Sequence, residues 1–313
     1  MNTATVTGEE RIARAELTWL AEPRERLLGA LVRASGAVEA MALIRAGRLP
    51  HDAELTANPG WQQAMARWHA ALERVPPRGE VERTLVGRFR LVYPGCAEWP
   101  GGLDGLGDAA PVALWVTGVA GLGFSCRRSA AVTGARAATA YGAYLGSEFG
   151  GSLADRGWTV VSGASFGIDA SAHRGALAAD GVTIAVAAGG LDEPYPAAHI
   201  DLFGAIAAQG TLVSEAPPGA RASRLRFEAR QRVIAALATG TVIIEAGSRS
   251  GALTAARHAR DLRRPVMAVP GPVTSDLSSG CHELIQRRQA VLVTCASDVI
   301  NALELEAALA ADS

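Results

Sequence analysis

Short apolar runs recur through the last two thirds of the chain, at residues 130–133, 159–162, 183–187, 211–214, 241–245, 265–269 and 291–294. Most are followed by Gly, Ser or Pro and then by apolar positions at helical spacing. Strands that alternate with helices predict βαβ units, hence an α/β fold with a mostly parallel sheet. In such a sheet ligands bind outside the carboxyl ends of the strands, where these turns fall.

The first part of the chain has a different pattern. Residues 9–20, 23–34, 37–45 and 61–72 carry spaced apolar positions without strand alternation, which predicts helices. Breaks fall at Glu22-Pro23, Ser35-Gly36 and Asn58-Pro59-Gly60. Pro76-Pro77-Arg78-Gly79 reads as a linker. Apolar runs follow at 91–93 and 112–116, with residues 100–107 expected as a loop between them. The expected domains are therefore a helical one over 1–78, an α/β one over 79–300, and a tail, 301–313, forming one short helix that frays.

Composition narrows the function. Of the 313 residues, 49% are hydrophobic and 19% charged, ample for a buried core. Net charge is −1, so a polyanion site must be a local patch. All 30 basic residues are arginine, which genomic base composition explains. Every cationic contact is nonetheless a planar guanidinium, suited to phosphate and to stacking. Cys96, Cys126, Cys281 and Cys295 form no C-x-x-C pair and no zinc spacing, as expected of free thiols in a reducing cytosol. Residues 1–14 are polar, unlike a signal peptide, and no run of 18 apolar residues predicts a membrane span.

The turns carry the chemistry. Gly134-Ala135-Arg136 follows the first run, where a glycine lets the backbone approach a ligand and a helix N-terminus offers free N–H groups. An ordinary turn with a surface arginine reads the same way. The next turn runs from Gly163 through Ser165 and Gly167 to Asp169, a residue expected to cap the helix after it. Its G-x-S-x-G string matches a hydrolase nucleophile elbow, but no Asp and His in the required order are singled out by context. Gly189-Gly190 and Pro194…Pro196 make a third, rigid turn. Between residues 221 and 232 lie Arg221, Arg224, Arg226, Arg230 and Arg232, opposed by Glu228 and surrounding Phe227. Arginines around an aromatic suit single-stranded nucleic acid, whereas Phe227 with Ile234 and Leu237 could equally form a buried stripe. Ser250 and Gly251 fall in another turn at a helix start. No P-loop or G-x-G-x-x-G fingerprint accompanies these turns, and no cofactor is expected.

In order along the chain, the Gly134–Arg136 turn, the Gly163–Asp169 turn, His173-Arg174-Gly175, Tyr195-Pro196, Phe227…Arg230-Gln231-Arg232 and Ser250-Gly251 resemble the DNA-processing protein A family, also called DprA or Smf. The resemblance covers about residues 98–300. It implies an extended Rossmann-like sheet with helices on both faces, preceded by a small helical domain like a sterile alpha motif. It implies cytoplasmic homodimers that bind single-stranded DNA without sequence preference, protect it in natural transformation and load RecA on it, with no catalytic activity. By this resemblance Arg136, Gly163, Gly167, Arg224, Arg226, Phe227, Arg230, Arg232, Ser250 and Gly251 would form the DNA site. The chain departs from the family pattern at Phe166, where an arginine is usual, and at Glu228, Gln231 and His199. Members with a C-terminal winged-helix domain are longer, so that domain is not expected here. Two other readings compete: a Rossmann-like phosphoribohydrolase acting on nucleoside monophosphates around Glu245–Gly251, and a serine hydrolase using Ser165.

Overall fold

A computed structural model of the chain describes residues 8–50 and 58–311. The remaining parts of the expected helical domain and tail lie outside the described residues. Among the described residues four helices come first: α1 (Gly8–Leu20), α2 (Arg26–Ser35), α3 (Ala37–Ala46) and α4 (Trp61–Ala70). They bury Leu17, Leu31, Ile44, Trp61 and Trp68 in one cluster, with the two tryptophans edge to face at 6.1 Å. The second half of the expected linker, Arg78-Gly79, is instead the start of α5 (Arg78–Val86), whose Val81 and Leu85 pack into a cluster shared with Ala15 of α1.

The described residues then build a nine-stranded sheet in the order β1-β2-β6-β5-β4-β3-β7-β8-β9. The strands are β1 (Arg90–Val92), β2 (Leu114–Gly118), β3 (Ser129–Thr133), β4 (Thr159–Ser162), β5 (Thr183–Val186), β6 (Thr211–Ser214), β7 (Gly240–Ile243), β8 (Val266–Ala268) and β9 (Val291–Leu292). β1 and β2 are antiparallel additions at one edge, and all other pairs are parallel. The central strands are buried on both faces, which is why they read as continuous apolar runs rather than alternating ones.

Alternate residues still divide between the faces. Ala130 and Val132 of β3 join a cluster under α6 (Ala140–Asp155), α7 (Ile168–Ala178) and α12 (Ala296–Ala311). Ala131 joins the opposite cluster under α9 (Arg224–Leu237). That second face is completed by α10 (Ala252–Asp261) and α11 (Ser279–Gln286), while α8 (Ile200–Gln209) extends the first. The sheet is thus doubly wound, as expected. No single described helix is long and apolar enough to cross a membrane.

Two expectations need correction. Residues Gly101–Ala109 are 3-10 helical with a break at Gly107 (φ +56) rather than a loop, and Leu103 is fully buried in the cluster of Val233 and Ile234. The last helix starts at Ala296, earlier than expected, because Val299 and Leu303 pack onto the sheet.

The chain lays β3, β4, β5 and β6 outward in one direction, then crosses back to place β7 on the other side of β3. Strand order reverses between β3 and β7, which opens a crevice at their carboxyl ends. The turns after β3, β4, β5 and β7 meet there.

Candidate nucleic-acid interface

The turns after β3 and β4 interlock backbone to backbone. A Cβ on Gly134 would lie 2.6 Å from Ile168 Cγ1 and 2.7 Å from the Glu245 carbonyl oxygen, so only glycine fits. Gly167 has φ +76, and a Cβ there would meet the carbonyl oxygens of Ala135 and Arg136. The Ala135 N–H donates to the Glu245 carbonyl at 2.7 Å, and Ile168 N–H donates to the Ala135 carbonyl at 3.2 Å. The Arg136 turn is therefore clamped between the turns of its two neighbouring strands.

Beneath it lies a buried polar network. Asp169 is in the first turn of α7 and not its cap, the position before the helix being Gly167. Its carboxylate accepts from Thr133 Oγ1 at 2.8 Å and from Ser165 N–H at 3.2 Å. It faces the Arg230 guanidinium at 3.7 Å. Arg230 donates to the Gly163 carbonyl, to the Val186 carbonyl at 3.1 Å and to Ser165 Oγ at 2.8 Å. One planar fork thus ties together the ends of β4 and β5. Burial pushes Arg230 down to about 10, opposed by the Asp169 carboxylate, so it stays charged at neutral pH.

Above the network lies Phe227. Ser223 caps α9, its Oγ accepting from Arg226 N–H at 3.3 Å. This puts Phe227 in the first turn and Arg230 on the same face one turn later. The Arg136 guanidinium lies 4.3 Å from the centre of the Phe227 ring and the Arg230 guanidinium 5.0 Å. Tyr195 meets the same ring edge to face at 5.8 Å. Ile234 and Leu237 are buried in the sheet cluster, but Phe227 is half-buried and outside it, so the expected stripe does not include it. Arg136 is exposed, and no carboxylate among the described residues pairs with it.

The other expected arginines do not join this group. Arg232 is buried and paired with Glu215 at 2.6 Å. Arg226 makes a two-pronged contact with Glu22 at 2.8 and 2.9 Å and donates to the Arg221 carbonyl at 2.8 Å. Arg224 is exposed at the start of α9. The expectation that Arg136, Arg224, Arg226, Arg230 and Arg232 converge on one face is corrected in that Arg226 and Arg232 are held by Glu22 and Glu215, which leaves Arg136 at the surface with Arg230 beneath. A helical stretch points its residues in all directions, and neighbouring carboxylates claim those that face elsewhere. Ser250 Oγ accepts from Ala252 N–H at 3.3 Å, and Gly251 is exposed, in the turn after β7.

Ser165 is 6% exposed and held by Arg230, unlike the exposed nucleophile of an elbow. Glu245 is 2% exposed, its carboxylate accepting from Thr139 N–H at 3.0 Å and Thr139 Oγ1 at 2.6 Å. No role in the site is expected from the sequence for Thr133, Tyr195 and His173. His173 is fully buried against Thr183 Oγ1 at 2.7 Å, and burial pushes its imidazole down to about 4.

This arrangement has counterparts among known proteins. The chain is 44% identical over 298 residues to a DNA processing protein DprA of Mycobacterium tuberculosis, covering 92% of this chain and 74% of that one. The X-ray structure of DprA from Streptococcus pneumoniae superposes with a TM-score of 0.75 at 28% identity, over 94% of this chain and 98% of that one. A structure describing the single-stranded DNA binding mode of DNA processing protein A from Helicobacter pylori superposes with a TM-score of 0.61 at 27% identity, over 70% of this chain and 97% of that one. The family model of DNA recombination-mediator protein A matches residues 90–304, every strand of the sheet included, and the chain belongs to that family.

Proposed function

We propose that this chain binds single-stranded DNA without sequence preference, in the crevice where the turns after β3, β4, β5 and β7 meet. The carrying observation is the Arg136–Phe227–Arg230 stack, in which an exposed guanidinium with no carboxylate partner among the described residues lies over a half-exposed ring. Such a group offers a phosphate contact and a base platform in one place. The single-stranded DNA binding described for the Helicobacter pylori relative supports the reading. Arg136 is its phosphate contact. Gly163, Gly167 and Arg230 hold the floor, and Phe227 supplies the platform, while Arg224 and the Ser250-Gly251 turn extend the surface at either side.

On the same reading the protein acts in DNA recombination during natural transformation. It protects incoming strands and loads RecA on them, as a cytoplasmic homodimer that catalyses no reaction itself. The buried states of Ser165 and Glu245 support a binding rather than a chemical role.

The test is a gel shift with labelled oligo-dT across a salt series. The chain should retard the oligonucleotide, and Arg136→Ala should weaken binding while lowering the log–log salt slope by about 0.7, the share of one single-strand phosphate contact. Failure of the unaltered chain to bind would end the proposal. An unchanged slope would reduce Arg136 to a surface residue.

A further inference from the structure

Two aromatic rings at the crevice have no part in any hydrophobic cluster of the fold. Phe166, in the turn after β4, is 47% exposed, and Tyr195, in the turn after β5, is 55% exposed. Both are held in place from one side. Phe166 meets the imidazole of His199 edge to face at 4.6 Å. That imidazole is itself buried, its Nδ1 lying 3.2 Å from the Ala164 carbonyl. Tyr195 meets Phe227 at 5.8 Å.

Both rings also connect to the Arg136 contact. Tyr195 touches the Phe227 end of the stack. Phe166 is joined to the other end through Gly167, which packs directly on the Arg136 backbone. Tyr195 and His199 are linked by one turn, residues Ala197–His199 forming a 3-10 helix. Three rings from three segments, Phe166, Phe227 and Tyr195, are thus linked to the Arg136 turn, Phe227 directly, Tyr195 through Phe227 and Phe166 through Gly167. What sets these two rings apart from other exposed rings such as Phe124 and Tyr144 is their link to the Arg136–Phe227 stack, where an occupant with an apolar face would cover them.

We infer that Phe166 and Tyr195 are two further base-stacking platforms, extending the Phe227 contact into a track for successive bases of a single strand. This rests on the nucleic-acid reading of the crevice. It assigns Phe166 a role of its own: where a cation would contact phosphate, the ring contacts a base. Binding at this end of the crevice is then less sensitive to salt and more dependent on the presence of bases. Every base has a π-face, so the track favours no sequence.

The experiment compares two oligonucleotides of equal length and charge, oligo-dT and a strand of abasic sites, against the full chain and its variants. Phe166→Ala, Phe166→Leu and Tyr195→Ala should each weaken oligo-dT binding by about 5- to 150-fold, the range for loss of one stacked base. Binding of the abasic strand should be the same for these variants as for the parent, and the salt slope for oligo-dT should not change. Phe166→Arg should raise that slope by about 0.7. Melting temperatures report folding, and both rings are exposed enough that they should hold. If Arg136→Ala loses oligo-dT while the ring variants bind like the parent, the track is wrong and the nucleic-acid reading stands. Equal losses on both strands would show the rings acting on the backbone, which also overturns the inference. If the parent binds neither strand, the underlying reading falls first.

Discussion

Arg230 shows how one residue can be both part of a site and the reason the site exists. Its guanidinium is 4% exposed and satisfied by acceptors from residues 67, 65 and 44 positions away in sequence. Removing it would strand the Asp169 carboxylate, which is 5% exposed, without its opposing charge. Arg230→Ala should therefore destabilise the protein by about 3–5 kcal/mol, the usual effect of breaking a buried pair, read as a lower denaturant midpoint. Arg230→Lys should recover little, since an ammonium cannot reach three diverging acceptors as a planar fork does. A lysine variant as stable as the parent would show that charge alone matters here. In the sequence Arg230 is legible as one of a basic group around Phe227, and the ring's company of arginines is legible with it. Which arginines face inward is not, because that depends on carbonyls of β4 and β5 and on carboxylates at Glu22 and Glu215, all distant in the chain. Asp169 misleads for the same reason: its position suits a cap, and its real partners, Thr133 and Arg230, are visible only once the sheet has formed.

At the scale of elements, the packing of α6 against α7 is what sets the height of the crevice floor, and it depends on glycine. Gly142, Gly146 and Gly150 recur every four residues and so share one face of α6. A Cβ on Gly150 would fall on the Ala172 carbonyl oxygen of α7, and one on Gly175 would fall on the Ser147 carbonyl oxygen of α6. The two backbones are in contact where side chains would normally separate them. Alanine ordinarily gains about 0.5–1 kcal/mol over glycine within a helix. Here the obstructing atom is backbone and cannot swing aside, and overpacking costs about 1–3 kcal/mol. Gly150→Ala should thus lower stability by about 1–2 kcal/mol, whereas Gly204→Ala in α8, with open space around its Cβ, should raise it. Equal urea midpoints for the two variants would contradict the close packing. The strands themselves are legible in the sequence, since a buried parallel strand must be apolar along its whole length. Their ends shift by one or two residues, as 241–245 does to Gly240–Ile243, because hydrogen-bonded pairing and not apolarity decides where a strand stops. The Gly101–Ala109 helix is hidden by its glycines, and only the burial of Leu103 reveals it.

For the whole molecule the open question is whether the helical region and the sheet are separate bodies, as the break near residues 76–79 leads one to expect. The contacts of α1 point the other way. Leu17 and Leu20 face the helical cluster, while Ile12, Ala15 and Trp19 belong to the cluster of the sheet. Trp115 of β2 is fully buried, with Trp19 at 5.3 Å edge to face and its indole N–H donating to Thr18 Oγ1 at 3.1 Å. Arg14 donates to the Val112 carbonyl at 2.8 Å, and Glu22 holds Arg226 at the start of α9. So α1 serves as the cover of the β1–β2 edge, and a division at residue 78 cuts through a packed layer. We propose that the sheet folds as a unit from residue 79 onward but depends on α1 for part of its stability. Exposing the Trp115 side chain alone removes about 2–3 kcal/mol, which for a domain of this size lowers the melting temperature by about 4–12 °C. A fragment of residues 79–313 should therefore melt cooperatively but earlier than the full chain, and its tryptophan fluorescence should shift to the red as Trp115 meets water. Arg226, freed from Glu22, should be available to phosphate in the fragment, so its oligo-dT binding at low salt should be no weaker than that of the full chain. A fragment that melts with the full chain would establish two independent bodies and make the α1 contacts incidental. A fragment that does not fold would place the boundary before α1, with the helical region and the sheet sharing a single core.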